Sequence, residues 1–115
     1  MNRTIEHKGI TYVVTRFGVV SPFLARRGEY LGDAPEGEVQ RAMAWLRECT
    51  TPHPRKRGYS YTLKHRAEEY ANEYVGNGSL IEAASRLGYR VTPEDPYSPN
   101  AWVWCQALKN LGGAL

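Results

Sequence analysis

The first two dozen residues carry the alternation of a strand pair. Thr4 to His7 and Ile10 to Arg16 are rich in β-formers and flank Lys8-Gly9, where glycine permits the positive φ of a tight turn. Ile10, Tyr12 and Val14 alternate with Thr11, Val13 and Thr15, so at least one face of the second strand is expected to be buried. Phe17 to Leu24 is apolar but broken by Gly18 and Pro22, which suits a third, irregular strand. Arg26 to Asp33, with Gly28 and Gly32, reads as a loop.

The period then becomes helical. Asp33 is a candidate cap, Pro35 has the φ of a first turn, and Glu36 stands three residues after Asp33. Val39, Ala42, Met43 and Leu46 form one apolar stripe with Trp45 at its edge, and Thr50, Thr51, Pro52 and Pro54 end the helix. A second helix is predicted over 62–75, with Leu63, Ala67, Tyr70, Ala71 and Tyr74 on one face and Gly76-Asn77-Gly78 as its stop. Ser79 and Glu82 form a capping box for a third, which carries Leu80, Ile81, Ala84 and Leu87 and closes at Gly88.

Tyr89 to Thr92 suits a brief strand, and Pro93, Pro96 and Pro99 punctuate a rigid loop. From Ser98-Pro99 to about Asn110 the residues Ala101, Trp102, Cys105 and Leu108 suggest a last helix, ended by Gly112-Gly113. In that helix Trp104 would lie roughly 200° around the axis from Trp102, at about 100° per residue. Trp102 would be core, and Trp104 would then either anchor a partner or lie against a second buried side of the helix. The expected fold is α+β: a β-hairpin region over 1–24, then about four short helices over 33–112, in a single compact domain spanning 1–115.

Composition agrees with one folded core. Hydrophobic residues make up 42% and charged residues 23% of the 115 positions, close to the globular average, so wholesale disorder is not expected. No apolar run approaches the roughly 18–20 residues that span a bilayer, and the N-terminus lacks the apolar stretch of a secretory signal. A cytoplasmic protein with no membrane association is therefore expected. Cys49 and Cys105 read as two small buried thiols, since a secreted domain of this size usually carries a fuller disulfide framework.

The net charge of +3 is a mild excess, so its distribution matters more than its size. Between Pro52 and Ala67 there is no acidic residue, while Arg55, Lys56, Arg57, Lys64 and Arg66 are cationic. Such a segment suits a phosphate backbone, because each cation displaces a condensed counterion while Tyr59 and Tyr61 offer faces to bases. Lys64 lies four residues before Glu68, and Arg66 three before Glu69, so helix pairing competes for both. Arg55, Lys56 and Arg57 have no local counter-charge. The candidate binding residues are thus Arg55, Lys56, Arg57, Tyr59, Tyr61, Lys64, Arg66 and Trp104, with nucleic acid or a nucleoprotein complex as partner.

Catalytic chemistry finds little purchase. Cys49, His53, His65 and Cys105 lack the paired close spacing of zinc sites, and no activating base accompanies either cysteine. Glu68, Glu69 and Glu73 read as a solvated helix face, and Gly76-Asn77-Gly78-Ser79 lacks the lysine of a phosphate loop. Ala84-Ser85-Arg86-Leu87-Gly88 has the shape of a helix-turn-helix first-helix end, but the next predicted helix begins too late and is too apolar to read bases. No catalytic residue, metal or cofactor is assigned.

Three segments resemble a known pattern. Ser60-Tyr61-Thr62-Leu63-Lys64-His65, then Tyr74-Val75-Gly76-Asn77-Gly78-Ser79-Leu80-Ile81-Glu82-Ala83-Ala84, then Ser98-Pro99-Asn100-Ala101, look like a pattern in small accessory proteins of phages, plasmids and integrated elements. The resemblance covers roughly residues 58–104 and carries over no catalytic residues. It implies a protein that binds DNA, or one that binds and blocks a host defence complex such as a CRISPR effector.

Overall fold

The computed structural model describes residues 2–25 and 32–108. The expected hairpin is formed by β1 (Thr4–His7) and β2 (Ile10–Thr15), paired antiparallel with Ile5 opposite Tyr12. Lys8 and Gly9 both take positive φ at the turn, 50° and 79°. The irregular third strand is β3 (Gly18–Val20), which pairs with β2 and is buried throughout. Tyr12, Val14 and Val19 face Ile81 and Ala101, so the hairpin lies on the third helix and not free in solvent.

Three helices form the centre: α1 (Glu36–Cys49), α2 (Ser60–Ala71) and α3 (Asn77–Arg86). Val39, Ala42, Leu46 and Cys49 of α1 pack with Leu63 and Ala67 of α2 and Leu80, Ala83 and Ala84 of α3. Trp45, expected at the edge of its stripe, is in the core at 1% exposure. The cap residue of α1 is Pro35 and not Asp33. The second helix starts two residues early and ends at Asn72, whose left-handed φ of 55° stops it before Gly76. Tyr74 therefore lies beyond the helix, and both it and Tyr70, expected on the apolar face, are exposed.

The α3 start departs from the capping-box expectation. Ser79 is buried inside the helix, and its hydroxyl donates to Glu38 Oε1 at 2.8 Å. The same carboxylate oxygen accepts the Gly76 N–H at 2.8 Å, so α1 supplies the cap that α3 lacks. Asn77 Nδ2 donates to Phe17 O and Pro99 O, tying the helix start to the hairpin and to the proline loop. A Cβ on Gly78 would lie 1.7 Å from Thr15 O, and one on Gly18 would lie 2.0 Å from Pro99 O. The glycine-rich stretch is a packing device.

The largest departure is the C-terminal part. The predicted fourth helix is absent from the described residues, and 101–107 is extended instead, as β7 (Ala101–Val103) and β8 (Cys105–Ala107). Ala101, Val103 and Cys105 are buried while Trp102, Trp104 and Gln106 are half-buried, an alternation of period two. Three shorter strands complete the pattern: β4 (Thr50–Pro52), β5 (Gly58–Tyr59) and β6 (Val91–Pro93). β4 pairs with β8 in a second, two-stranded sheet, and β5-β7-β6 form a third, all antiparallel. The fold is a compact α+β domain with three helices and eight strands among the described residues, and the region expected to be helical holds five of those strands. Among the described residues no helix is long and apolar enough to cross a membrane.

Candidate nucleic-acid interface

The site grows from the β5-β7-β6 sheet. Tyr59 on β5 and Thr92 on β6 both stand opposite Trp102 on β7. The inner sides of these strands are filled by Ala101, Val103 and Cys105, so Tyr59 and Trp102 point to the outer face. Their ring centroids are 5.0 Å apart and tilted by 58°, so the two rings meet at an angle instead of stacking on one another. Trp104 follows on the same face. Its indole N–H donates to Thr92 Oγ1 at 3.0 Å, and its backbone N–H donates to Arg90 O.

Two guanidinium groups lie on these rings. Arg57 is centred 3.9 Å above Trp102 and 5.3 Å from Trp104, and Arg90 is 4.5 Å from Trp104 on its own account. The contacts run in sequence as Tyr59, Trp102, Arg57, Trp104, Arg90. Each cation–π contact at such an exposed position contributes about 0.5–1 kcal/mol, enough to hold a side chain in place without locking it there. Among the described residues Arg55, Lys56, Arg57 and Arg90 form no ion pair.

One end of the row is acidic. The Tyr59 hydroxyl donates to Glu94 Oε1 at 2.7 Å, and the Ser98 hydroxyl donates to the same oxygen at 2.7 Å. Burial and this carboxylate together raise the Tyr59 phenol above its ordinary range, so it stays protonated and donating. The opposite end is basic, formed by the exposed 53–57 loop. That loop is shaped by the His53 ring, whose Nδ1 accepts the backbone N–H groups of Arg55 at 3.0 Å and Lys56 at 2.8 Å. An open cleft of about 430 Å³ lies beside Lys56 and Arg57, floored by Cys105, Gln106 and Ala107.

The structure divides the expected site residues into two groups. Arg57, Tyr59 and Trp104 come together in the row, with Arg55 and Lys56 in the adjoining loop. Tyr61, Lys64 and Arg66 lie on α2, engaged elsewhere. Lys64 is 7% exposed; its ammonium donates to Glu68 Oε1 at 2.8 Å and rests near the Tyr61 and Tyr74 rings. Glu68 is consequently not the solvated carboxylate that the helix pattern suggested. Burial alone would raise it, but hydrogen bonds from Lys64, the Val75 N–H and His65 outweigh burial and hold it below the ordinary range. Tyr61 meets the His65 ring edge-on, and Arg66 pairs with Glu69 at 3.6 Å.

Trp102 and Arg90 belong to the row, yet sequence reading placed Trp102 in the core and passed over Arg90. The signal was the alternation of Trp102 and Trp104 with buried small residues. The four residues considered for a metal do not converge: both cysteines are buried, His53 is committed to its loop, and His65 meets Glu68. Burial pushes the Cys105 thiol up to about 11, partly offset by the Gly58 N–H, so it is protonated at neutral pH. A second cleft, about 530 Å³, contains Arg3, Glu36, Glu82 and Arg86, but these charges satisfy one another at 2.7–3.4 Å. No family model, curated protein or solved structure matches the chain.

Proposed function

We propose that this chain is a small binding module, with no catalysis of its own, that engages nucleic acid or a nucleoprotein through the 53–57 loop and the aromatic row beside it. The observation that carries the reading is the Arg57 guanidinium lying over Trp102 and Trp104 with no ion pair among the described residues, next to Arg55 and Lys56 in an acid-free loop. Cations in that state are available to phosphates, and the release of condensed counterions makes such contacts favourable at low salt. Base–aromatic stacking adds about 1–3 kcal/mol per base, more than one exposed cation–π contact holds back.

The test is a charge reversal. Arg55, Lys56 and Arg57 are exposed loop side chains, so changing all three to Glu should leave the fold intact by circular dichroism. Retention on nucleic acid at about 50 mM salt should be abolished, and wild-type affinity should fall linearly with log salt. Full retention by the triple variant, or wild-type binding insensitive to salt, overturns the reading. A second reading is favoured by the exposed Phe23–Tyr97 pair, whose rings are 5.3 Å apart outside the row. It makes the chain an inhibitor of the mobile-element kind, gripping an acidic patch on a host defence complex. Stoichiometric capture of one such complex, with no binding to free nucleic acid, decides for it.

A further inference from the structure

We infer that the row is built for single-stranded nucleic acid, with bases stacked on Trp102 and Trp104 and the backbone led into the Lys56–Arg57 cleft. The inference rests on the nucleic-acid reading above and narrows it to one class of ligand. Three features select the single strand. The first is the guanidinium itself. It is planar and delocalised, and at 3.9 Å from Trp102 it occupies the position that a base would take. The Trp102 face is thus accessible to a flat group, and Arg57 is its resident in the free protein.

The second feature is polarity along the row. Glu94 at the Tyr59 end disfavours a phosphate there, whereas Lys56, Arg57 and Arg90 favour one at the other end. A strand laid across the row has its bases on the rings and its backbone on the cationic side. The cleft of about 430 Å³ beside Lys56 and Arg57 adds the Gln106 amide to the two cations, a fitting set of donors for one phosphodiester. Arg57 lies between ring and cleft. As a base arrives on Trp102, its side chain can turn from the indole to the phosphate without leaving the site.

The third feature is what the surface lacks for a duplex. Paired bases hide their faces inside the stack and reaching them requires unstacking, whereas Trp102 and Trp104 are half-buried rings under the Arg57 guanidinium and not projecting wedges. On α2, the helix next to the basic loop, Lys64 is buried against Glu68, and Arg66 pairs with Glu69.

The experiment uses the full chain and four probes of equal length: oligothymidylate, oligouridylate, an abasic deoxyribose-phosphate oligomer, and a DNA duplex. Affinity and tryptophan emission are followed together at two salt concentrations. Oligothymidylate or oligouridylate should bind at least about tenfold tighter than the abasic oligomer and the duplex, with quenching of emission. The ratio of these two arms tells whether DNA or RNA is preferred.

Trp102→Leu with Trp104→Leu leaves Trp45, which is 1% exposed, as an internal reference that should not respond. Should that variant fail to fold, Arg57→Ala serves instead. It should keep the quenching and lower the salt slope by about 0.7, the value of one single-strand phosphate contact. Equal affinity for abasic and base-bearing strands, or duplex binding as tight as single-strand binding, overturns the inference and leaves charge-driven binding standing. No binding to any probe overturns both.

Discussion

Gly78 is the position where the packing makes its sharpest demand. A Cβ there would sit 1.7 Å from Thr15 O, 2.5 Å from Arg16 C and 2.6 Å from Arg16 O, all of them backbone atoms that cannot rotate away. Gly78→Ala must therefore push the start of α3 off the β2–β3 turn by more than an ångström. The Gly78 N–H bond to Arg16 O, at 3.3 Å, and the Asn77 amide bonds to Phe17 O and Pro99 O, at 3.1 and 3.2 Å, go with it. Overpacking of this kind costs about 1–3 kcal/mol. Two or three lost hydrogen bonds add roughly 2 kcal/mol, and better helix propensity returns at most about 1 kcal/mol.

The net expectation is a loss of about 3 kcal/mol, or a Tm lower by about 10–15 °C for a chain of this size. The assay is urea and thermal unfolding followed by circular dichroism at 222 nm. Gly88→Ala is the comparison. Gly88 has φ of 84° but nothing within 4 Å of the added Cβ, so only backbone strain of about 1 kcal/mol is expected. A Gly78→Ala protein within 2 °C of wild type, or one no less stable than Gly88→Ala, would refute the close-approach argument (~2 °C being within ordinary surface-substitution scatter).

Two further outcomes separate structural charges from functional ones. Lys64→Met removes a buried ammonium and leaves Glu68 with only the Val75 N–H and His65; a loss of about 2 kcal/mol is expected in urea unfolding, with nucleic-acid affinity per folded molecule unchanged. A fall in affinity to match Arg57→Ala would return Lys64 to the binding surface. Acid should also weaken the fold: Arg86 and Gln40 hydrogen bonds hold the Glu36 carboxyl at about 2, below its ordinary 4.5, and Glu68 is shifted the same way. A depressed carboxylate contributes stability above its unfolded pKa and loses it as pH falls through the folded one, so the urea midpoint should drop between pH 4.5 and 2, less steeply in Glu36→Gln. An equally steep drop in that variant would show that the Arg86 pair carries none of it.

Much of the fold is legible wherever one period is unopposed. Ile10, Tyr12 and Val14 admit only a strand, and Val39, Ala42 and Leu46 only a helix; both formed where expected. Contacts with distant partners leave no such local pattern. Ser79 with Glu82 satisfies the local capping rule, yet Glu38, forty-one positions away from Ser79, takes the hydroxyl and the Gly76 N–H instead. Lys64 reads as a surface cation until the fold closes Tyr61, Tyr74 and Glu68 around it. Each is a tertiary contact overriding a local preference.

The site was obscured by a single choice of period. Ala101, Trp102, Cys105 and Leu108 match a helical stripe, and in a helix Trp102 and Trp104 diverge by about 200°, so the two cannot share a face. In a strand the same two residues, separated by one position, share a face. That face then meets Arg57, which the sequence had already singled out for want of a counter-charge. The deciding fact is the alternation of small residues, Ala101, Val103 and Cys105, with Trp102 and Trp104, which is the pattern of a half-buried strand. Joined by the correct period, Arg57 and the two tryptophans become one surface, beside the loop that carries Arg55 and Lys56.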